Sequence, residues 1–285
     1  MGTLHVGIQG GKGSYHEQAA LHYSALKPAG LIYQPTFKQL FTGLEAGEYD
    51  RALVAIANNA VGFIHEPYTY LVLDGGNKLR ICGETYVRVE HHLLGLPSAT
   101  IRGIQQVHSQ APALGQCTAF LQDKLTGREI FEESDTALSA QRVSEWNDPT
   151  KAAIASKRAG DLHGLVSLAE CIQDDPDNIT RFLLISRAGD DQAVQVANKT
   201  TCLLDTGQQP GALVTALLPF REAGVNISSL QSLFVPNSPF HMQFFLEFDA
   251  ASSDPRTQRI QDWLQGLGCT LTVLGSYPSQ SVPIL

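Results

Sequence analysis

The stretch QDDPDNITRFLLI, residues 173–185, joins a polar loop to an apolar run. Residues 182–185 have the length and apolar character of a buried strand. Thr180 and Arg181 stand where the loop meets this strand, so a hydroxyl and a guanidinium are presented at a strand edge. Loops on a rigid scaffold often carry binding and catalytic side chains. The pattern indicates a site for a small anion, with a simple turn and a surface charge as the alternative.

The composition bounds the fold and excludes several classes of function. With 285 residues, 43% hydrophobic and 17% charged, the chain can form one large or two medium domains with a buried core. The net charge of −8 and the lack of a basic stripe argue against a nucleic-acid partner. No apolar run approaches the length of a membrane span. Five cysteines without paired spacing, and a first strand with no leader before it, predict reduced thiols and a cytoplasmic location.

The first half of the chain alternates strand-like and helix-like segments. Its first set has predicted strands at 4–9, 31–33 and 52–57 and predicted helices at 15–25 and 37–46. Its second set has strands within 79–96, at 105–108 and at 130–132, and helices at 112–125, 135–145 and 151–162. The start of the last helix, AAIA at 152–155, also suits a strand. We expect mostly parallel sheets in two α/β lobes, with the ligand in the cleft between them.

The pattern changes after the apolar run of the opening stretch. Residues 189–198 are polar and predict a linker, and residues 199–277 follow the order β-α-β-β-α-β. This order predicts a ferredoxin-like α+β domain. We therefore expect a two-lobed α/β domain over 1–188, with the lobe boundary near residues 78 and 172, and a loose tail at 278–285.

The first helix of the C-terminal domain has clear end signals. Pro210 and Gly211 open it and Gly224 ends it. Pro219 lies inside the pattern and should kink the helix or interrupt its hydrogen bonds.

Polar residues at the ends of predicted strands and helices are candidate anion-binding groups. Gly13 and Ser14 follow the first strand and open a helix, where backbone amides and the helix N-terminus suit an anion. Asn58 follows a buried strand, and Ser109 and Gln116 lie on either side of a loop that feeds a helix. Turns and helix caps are the alternative for each of them.

The histidine pair His91-His92 does not predict a metal site. Adjacent residues on a strand point to opposite faces, so the two side chains cannot easily share one ion. The sequence has no HExxH motif and no clustered His/Cys set, and we expect no metal. One of the two histidines is expected to line the cleft. No GxSxG motif marks a nucleophile elbow.

Taken together, these motifs resemble prephenate dehydratases with a C-terminal ACT regulatory domain. The matching segments are AAIAS at 152–156, HGL at 163–165, IQDDPDNITRFLLI at 172–185, PGAL at 210–213 and GVNI at 224–227. The resemblance implies a periplasmic-binding-protein-like catalytic domain and a lyase that converts prephenate to phenylpyruvate, with loss of carbon dioxide and water, for phenylalanine biosynthesis. It also implies a homodimer or homotetramer and an amino-acid effector.

The resemblance assigns roles to the matched positions. The implied catalytic residues are Thr180, as donor to the leaving ring hydroxyl, with Asn58 and Gln116. The predicted substrate-binding residues are Ser109, Arg181, Ser14 and Gly13, with Arg181 holding either a carboxylate or the site itself. The tentative regulatory residues are Gly211, Ala212, Leu213 and Asn226. Because prephenate is a dianion, amides and a cation suit it, and because aromatisation drives the reaction, no cofactor is expected.

The chain departs from the family pattern at several positions. A glutamate is replaced by Ala57, a histidine by Gln110 and a serine by His16. In the regulatory part, Gln231 and Leu233 replace a glutamate and an arginine. Two other interpretations stay open: a divergent enzyme that acts on prephenate or an analogue in secondary metabolism, such as a non-aromatising decarboxylase, and a non-catalytic ligand-binding protein.

Overall fold

A computed structural model describes residues 4–23, 26, 30–74, 76–190, 196–235 and 238–282. Within these ranges the strands form three β-sheets, and helices pack against them. The same ranges contain no helix that is long and apolar enough to cross a membrane.

The first lobe is built from alternating strands and helices. Its first strands are β1 (His5–Gln9), β2 (Gly30–Gln34), β3 (Arg51–Asn58), β4 (Gly62–Phe63) and β5 (Leu79–Arg88). Its helices are α1 (Tyr15–His22), α2 (Phe37–Ala46) and α3 (His65–Asp74). Strand β1 pairs in parallel with β2 and β3, as a β-α-β-α-β order requires.

The second lobe has a sheet of its own. Its strands are β6 (His92–Gly95), β7 (Gln106–Ser109), β8 (Glu129–Glu132), β9 (Lys151–Ala155) and β10 (Val166–Ala169). Its helices are α4 (Ala111–Gly115), α5 (Thr118–Lys124), α6 (Thr136–Trp146) and α7 (Lys157–His163). The sheet order is β10-β6-β9-β7-β8. Strand β7 is parallel to β8 and β9, whereas the other pairings are antiparallel.

Strand β11 (Ile179–Arg187) returns the chain from the second lobe to the first. It inserts between β3 and β5 and runs antiparallel to both, giving the order β2-β1-β3-β11-β5. The prediction of a mostly parallel sheet is confirmed for β1 with β2 and β3 and is wrong for β11, because the chain re-enters the sheet from the opposite end. Side chains alternate along a strand. Phe182 and Leu184 accordingly pack toward α1, whereas Leu183 and Ile185 pack into a core shared with the C-terminal domain.

Most predicted elements are confirmed with small shifts at their ends. The helix predicted at 37–46 has those limits. The helix predicted at 15–25 ends at His22, and Ala25 lies outside the described residues. Segment 151–162 divides into strand β9 and helix α7, because Ser156 caps α7 through the N–H of Ala159. Helix α3 and strands β4 and β10 were not predicted.

The helix predicted at 112–125 is two helices, α4 and α5, with Gln116 and Cys117 between them. A distant residue causes the break. The Asp174 carboxylate accepts hydrogen bonds from the N–H groups of Thr118, at 3.1 Å, and Ala119, at 3.0 Å. It thereby caps α5, whose own N-cap residue makes no side-chain cap bond.

The C-terminal domain has the predicted β-α-β-β-α-β order. Its elements are β12 (Lys199–Asp205), α8 (Ala212–Glu222), β13 (Ile227–Phe234), β14 (Met242–Phe248), α9 (Pro255–Gly266) and β15 (Thr270–Tyr277). They form an antiparallel sheet in the order β13-β14-β12-β15. Pro219 lies inside α8, which continues to Glu222. Residues 191–195 of the predicted linker and 283–285 of the predicted tail lie outside the described residues.

The C-terminal domain packs closely against the first lobe. Leu203, Phe245 and Tyr277 share a core with Leu183 and Ile185 of β11. Gly275 of β15 lies so close to the first lobe that an added Cβ would overlap the carbonyl oxygen of Ile81. The backbone contact therefore requires glycine at this position.

A buried charge network crosses the same interface, with Arg181 at its centre. The Arg181 guanidinium donates to both carboxylate oxygens of Glu247, at 2.6 and 2.8 Å, and to Glu84, at 2.9 Å from Nε. Lys199 donates to Glu84 at 3.0 Å. Burial by itself would lower the pKa of Arg181, but the Glu247 carboxylate outweighs burial, and the pKa is raised. Two cations and two carboxylates thus balance where water is excluded.

Replacing Arg181 with Met should lower the free energy of unfolding by about 3–5 kcal/mol, because the buried carboxylates of Glu84 and Glu247 would lose their shared cation. Lys78→Met is the matched control, since the ion pair of Lys78 with Glu45 is largely exposed and its loss should change the stability little. Urea unfolding followed by circular dichroism measures both variants. Equal losses in the two would contradict a structural role for the network.

Candidate active site

A cleft of about 210 Å³ lies between the two lobes, so it fits a small organic molecule. The first lobe and strand β11 contribute Gln9, Ser14, Tyr15, His16, Phe37, Ala55, Asn58, Val61, Ile64, Thr180 and Phe182. The crossover between the lobes contributes Val89 and His91, and the second lobe contributes Gln110, Pro112, Ala113, Gln116, Asp135 and Thr136. The walls thus combine apolar side chains with amides, hydroxyls and imidazoles.

The orientation of the Asn58 amide decides what Thr180 can do. Asn58 Oδ1 accepts the N–H groups of Ala60, at 2.9 Å, and Val61, at 3.0 Å. Its Nδ2 must therefore face the other way, where it donates to Thr180 Oγ1 at 2.9 Å and to Asn178 Oδ1 at 2.6 Å. Thr180 accepts this bond, and no acceptor for its own proton is recorded among the described residues. The Thr180 hydroxyl is a free donor beside the cleft.

Gln116 connects this group to the second lobe. Its Oε1 accepts from Asn178 Nδ2 at 2.8 Å and lies 2.7 Å from His91 Nε2. Because Oε1 can only accept, His91 donates from Nε2, and its Nδ1 faces the Tyr15 hydroxyl at 3.0 Å. The chain of hydrogen bonds therefore links both lobes and the crossover.

Burial keeps His91 neutral within this chain. Desolvation lowers its pKa to about 4, although the hydrogen bond with Gln116 acts in the opposite direction. At neutral pH the ring is one fixed tautomer, with an N–H toward Gln116 and a lone pair toward Tyr15. His91 thus positions Gln116 without carrying charge.

The cleft offers neutral donors to an anion. No Lys or Arg is among the described residues that line it. Helix α1 begins at the cleft, with Ser14 as its N-cap, and a helix N-terminus is favourable for negative charge. Asp135 also lines the cleft as the N-cap of α6, and burial raises the pKa of its carboxyl. An anion in this cleft would therefore meet mainly hydrogen-bond donors and helix dipoles.

The structure brings four of the predicted site residues together, Thr180, Asn58, Gln116 and Ser14. Ser14 also caps α1, so the predicted cap and the predicted site coincide at this residue.

Three predicted substrate-binding residues lie outside the cleft lining. Ser109 is fully buried and donates to the Ile154 carbonyl of the neighbouring strand at 2.6 Å. Gly13 has a φ of +87° and accepts from Ser156 at 2.7 Å, which joins the lobes. Arg181 faces the C-terminal domain, because strand alternation turns it away from Thr180. Of the two roles expected for Arg181, the geometry favours holding the site rather than holding a carboxylate.

Three residues of the hydrogen-bond chain, Asn178, His91 and Tyr15, were not assigned roles from sequence. Asn178 lies two residues before Thr180 in the opening stretch, and the period of a strand places both on one face. That spacing could have predicted from the sequence that Asn178 lies beside Thr180. His91 is the member of the histidine pair that lines the cleft. Its link to Tyr15 depends on how the lobes meet, which no local pattern reveals.

The departures from the family pattern fall on different faces. His16 and Gln110 line the cleft. Ala57 pairs with Arg181 across the strands and borders a separate groove beside it. The exchange at position 57 therefore changes the surroundings of Arg181, whereas those at 16 and 110 change the cleft wall.

One group in the described ranges could ligate a metal ion. One donor atom each of Glu90, His92 and Cys171 lies within 4.8 Å of the others. Glu90 and Cys171 are exposed, and none of the three lines the cleft. The expectation of a reaction without a metal stays a prediction.

Comparison with known proteins identifies the family. A prephenate dehydratase family model matches residues 6–190. The chain is 32% identical over 282 residues to the bifunctional chorismate mutase/prephenate dehydratase of Escherichia coli K12, covering 98% of this chain and 72% of that one. The structure is similar to that of a prephenate dehydratase from Arthrobacter aurescens in complex with L-Phe, with a TM-score of 0.84, 28% identity and coverage of 96% and 90% of the two chains.

A second solved structure is equally similar. It is described as GqqA, a novel type of quorum quenching acylase, with a TM-score of 0.84, 29% identity and coverage of 97% and 98% of the two chains. The range matched by the prephenate dehydratase family model includes Thr180 and the other residues that line the cleft. The chain belongs to the prephenate dehydratase family.

Proposed function

We propose that the cleft converts prephenate to phenylpyruvate, with loss of carbon dioxide and water. The observation that carries the proposal is the Thr180 hydroxyl, which accepts from Asn58 at 2.9 Å and keeps its own proton free. A leaving hydroxyl group on the substrate needs such a donor. Family membership of the chain supports the same reaction.

The reaction balances without a cofactor. The bond between the ring and its carboxylate breaks, and its electron pair enters the ring as carbon dioxide leaves. The C–O bond of the ring hydroxyl then breaks, and the departing hydroxide becomes water with one proton from solvent. Thr180 donates a hydrogen bond to that oxygen as negative charge develops, while Asn58 and Asn178 fix the hydroxyl in place.

The walls of the cleft suit the loss of the ring carboxylate. Val61, Ile64, Val89 and Phe182 line it, and an apolar wall weakens the hydration of a carboxylate more than that of carbon dioxide. Donors from Gln116 and the start of α1 hold the remaining carboxylate. The absence of Lys and Arg from the described lining leaves charge recognition to these neutral groups.

Thr180 is poorly placed to act as the nucleophile of an acylase. Its oxygen accepts from an amide N–H, and the hydrogen bonds recorded for it in the described ranges include no imidazole or carboxylate. A hydroxyl nucleophile needs such a base to remove its proton. The dehydration is therefore the better supported reaction.

We further propose that the C-terminal domain binds an amino-acid effector and pairs with a second copy of the chain. Strand β13 is at the edge of its sheet and exposes Leu230 and Phe234, while Val214 is exposed on α8. An apolar edge strand of this kind suits pairing with another subunit. The relative from A. aurescens, whose structure contains L-Phe, supports an amino-acid effector.

Within that domain, the proposed regulatory residues lie at the start of α8 and just before strand β13. Gly211 has a φ of +80° and precedes α8, which begins with Ala212 and Leu213. Asn226 donates to Asp249 at 2.7 Å.

A cytoplasmic location is also proposed. All five cysteines are free thiols, and Cys117 and Cys202 are buried. Free thiols suit a reducing compartment.

Purified protein incubated with prephenate should form phenylpyruvate, identified by NMR. A dihydro, non-aromatic product, or no product, would contradict the proposed reaction. The same assay with arogenate shows whether a keto or an amino group is preferred on the substrate side chain.

Thr180→Val should reduce kcat by about 10²–10³-fold, because it keeps the shape of the side chain and removes the donor. Thr180→Ser restores a hydroxyl and should recover most of the activity. Unchanged activity in Thr180→Val would remove Thr180 from the mechanism. Circular dichroism of both variants controls for folding.

The pH profile of kcat/KM should show no step from His91 near pH 6.5. Its pKa is lowered to about 4, so the ring stays neutral until the pH falls close to that value. Protonation below that pH would place a proton and a charge on the buried ring at Nδ1, which faces the Tyr15 hydroxyl, whose own proton goes to the Glu90 carbonyl at 2.7 Å, and kcat/KM should fall. A step near pH 6.5 that disappears in His91→Gln would contradict a buried, neutral His91.

A further inference from the structure

His16 has one nitrogen whose role is fixed by the backbone. It is the second residue of α1 and is 8% exposed. Its Nε2 lies 3.2 Å from the N–H of Ala55 on strand β3. A backbone N–H can only donate, so Nε2 carries the lone pair and the neutral ring carries its proton on Nδ1.

The ring is also held by aromatic neighbours. It stands edge-on to Phe182, with centroids 5.1 Å apart and an interplanar angle of 83°, and it lies 5.9 Å from Phe37. A ring flip would break the bond with Ala55. Burial lowers the pKa of His16 to about 3, so the ring stays neutral around pH 7. The other titratable groups that line the cleft are Tyr15, His91 and Asp135.

The second nitrogen has no recorded protein partner. Among the described residues, no hydrogen bond to His16 Nδ1 is found, although the residue lines the cleft together with Asn58 and Thr180. Nδ1 is not among the buried atoms that lack a partner, so this N–H is open to the cleft, where a ligand oxygen can accept it. The site therefore contains a fixed, neutral donor with no function in the fold.

We infer that His16 determines substrate specificity, donating Nδ1–H to a carboxylate or ketone oxygen of the substrate. The inference rests on the proposed function, because it takes the cleft as the substrate site. A serine, which the family pattern has at this position, can both donate and accept and reaches less far. His16 only donates, so it favours an acidic or keto oxygen and rejects a group that would itself donate there.

Two substitutions distinguish the roles of the two ring nitrogens of His16. His16→Gln places an acceptor near Nε2, keeping the bond with Ala55, but removes the donor at the position of Nδ1. His16→Asn places a donor near Nδ1 and loses the bond with Ala55. We expect His16→Gln to fold like the native protein and to lose about 10- to 100-fold in kcat/KM for prephenate, mostly through KM.

If His16 had a purely structural role, the less stable of the two variants would also be the less active one. The inferred donor role predicts a different result. His16→Asn should melt at a lower temperature than His16→Gln and yet retain more kcat/KM. If His16→Asn is the less active of the two, or if His16→Gln retains native kcat/KM, the inference is wrong. Melting temperature and kinetics are measured on the same preparations of full-length protein.

NMR of 15N-histidine-labelled protein tests the tautomer and the contact directly, even without turnover. Native His16 should show a protonated Nδ1 and an unprotonated Nε2, and the Nδ1 signal should shift when phenylpyruvate is added as the probe. A protonated Nε2, or an Nδ1 signal that phenylpyruvate at saturation does not move, would overturn the inference. If prephenate is not converted but these signals behave as expected, the proposed function fails and the donor role of His16 stands.

Discussion

The alternation of side chains along strand β11 is the constraint on which the site and the domain contact both depend. Thr180 and Phe182 face the cleft, and Arg181 between them faces the C-terminal domain. One residue of slip in this strand would exchange the two faces. The register is held by pairing with β3 and β5 on both sides, so a face toward the cleft and a charged face toward the C-terminal domain coexist on adjacent residues.

The segments that cross between the lobes bring side chains of both lobes to the end of strand β11. Asn178 precedes β11 and contacts Asn58 in the first lobe and Gln116 in the second. Gln116 also receives a backbone bond from Asp174 at 2.7 Å, so the loop before β11 docks on the second lobe. Among the described residues, the Thr180 proton in this chain and the nearby His16 Nδ1 have no protein acceptor, and both residues line the cleft. Buried polar networks of this kind specify one arrangement because each broken bond leaves an unpaired group.

Arg181 shows that a residue in a sequence motif can have a different role in the structure from the one that the motif suggests. A guanidinium beside a catalytic hydroxyl suggests anion binding, and a dianionic substrate makes this attractive. In the folded chain the cation instead balances Glu84 and Glu247, which are 0% and 1% exposed. Strand β11 is thereby joined to the C-terminal sheet through paired charges, and the donors that face the cleft are neutral groups.

The sequence by itself determined the local elements and the chemistry of the motif. Apolar spacing predicted α2 and the β-α-β-β-α-β domain, because periodicity and end signals act within a few residues. It did not predict α3, whose stability comes from packing Tyr68 and Leu71 into the core. Nor did it predict the break before α5, because the capping carboxylate of Asp174 is distant in sequence. Only the tertiary structure decided which neighbour each side chain of β11 meets, since register, lobe contact and burial are long-range properties of the chain.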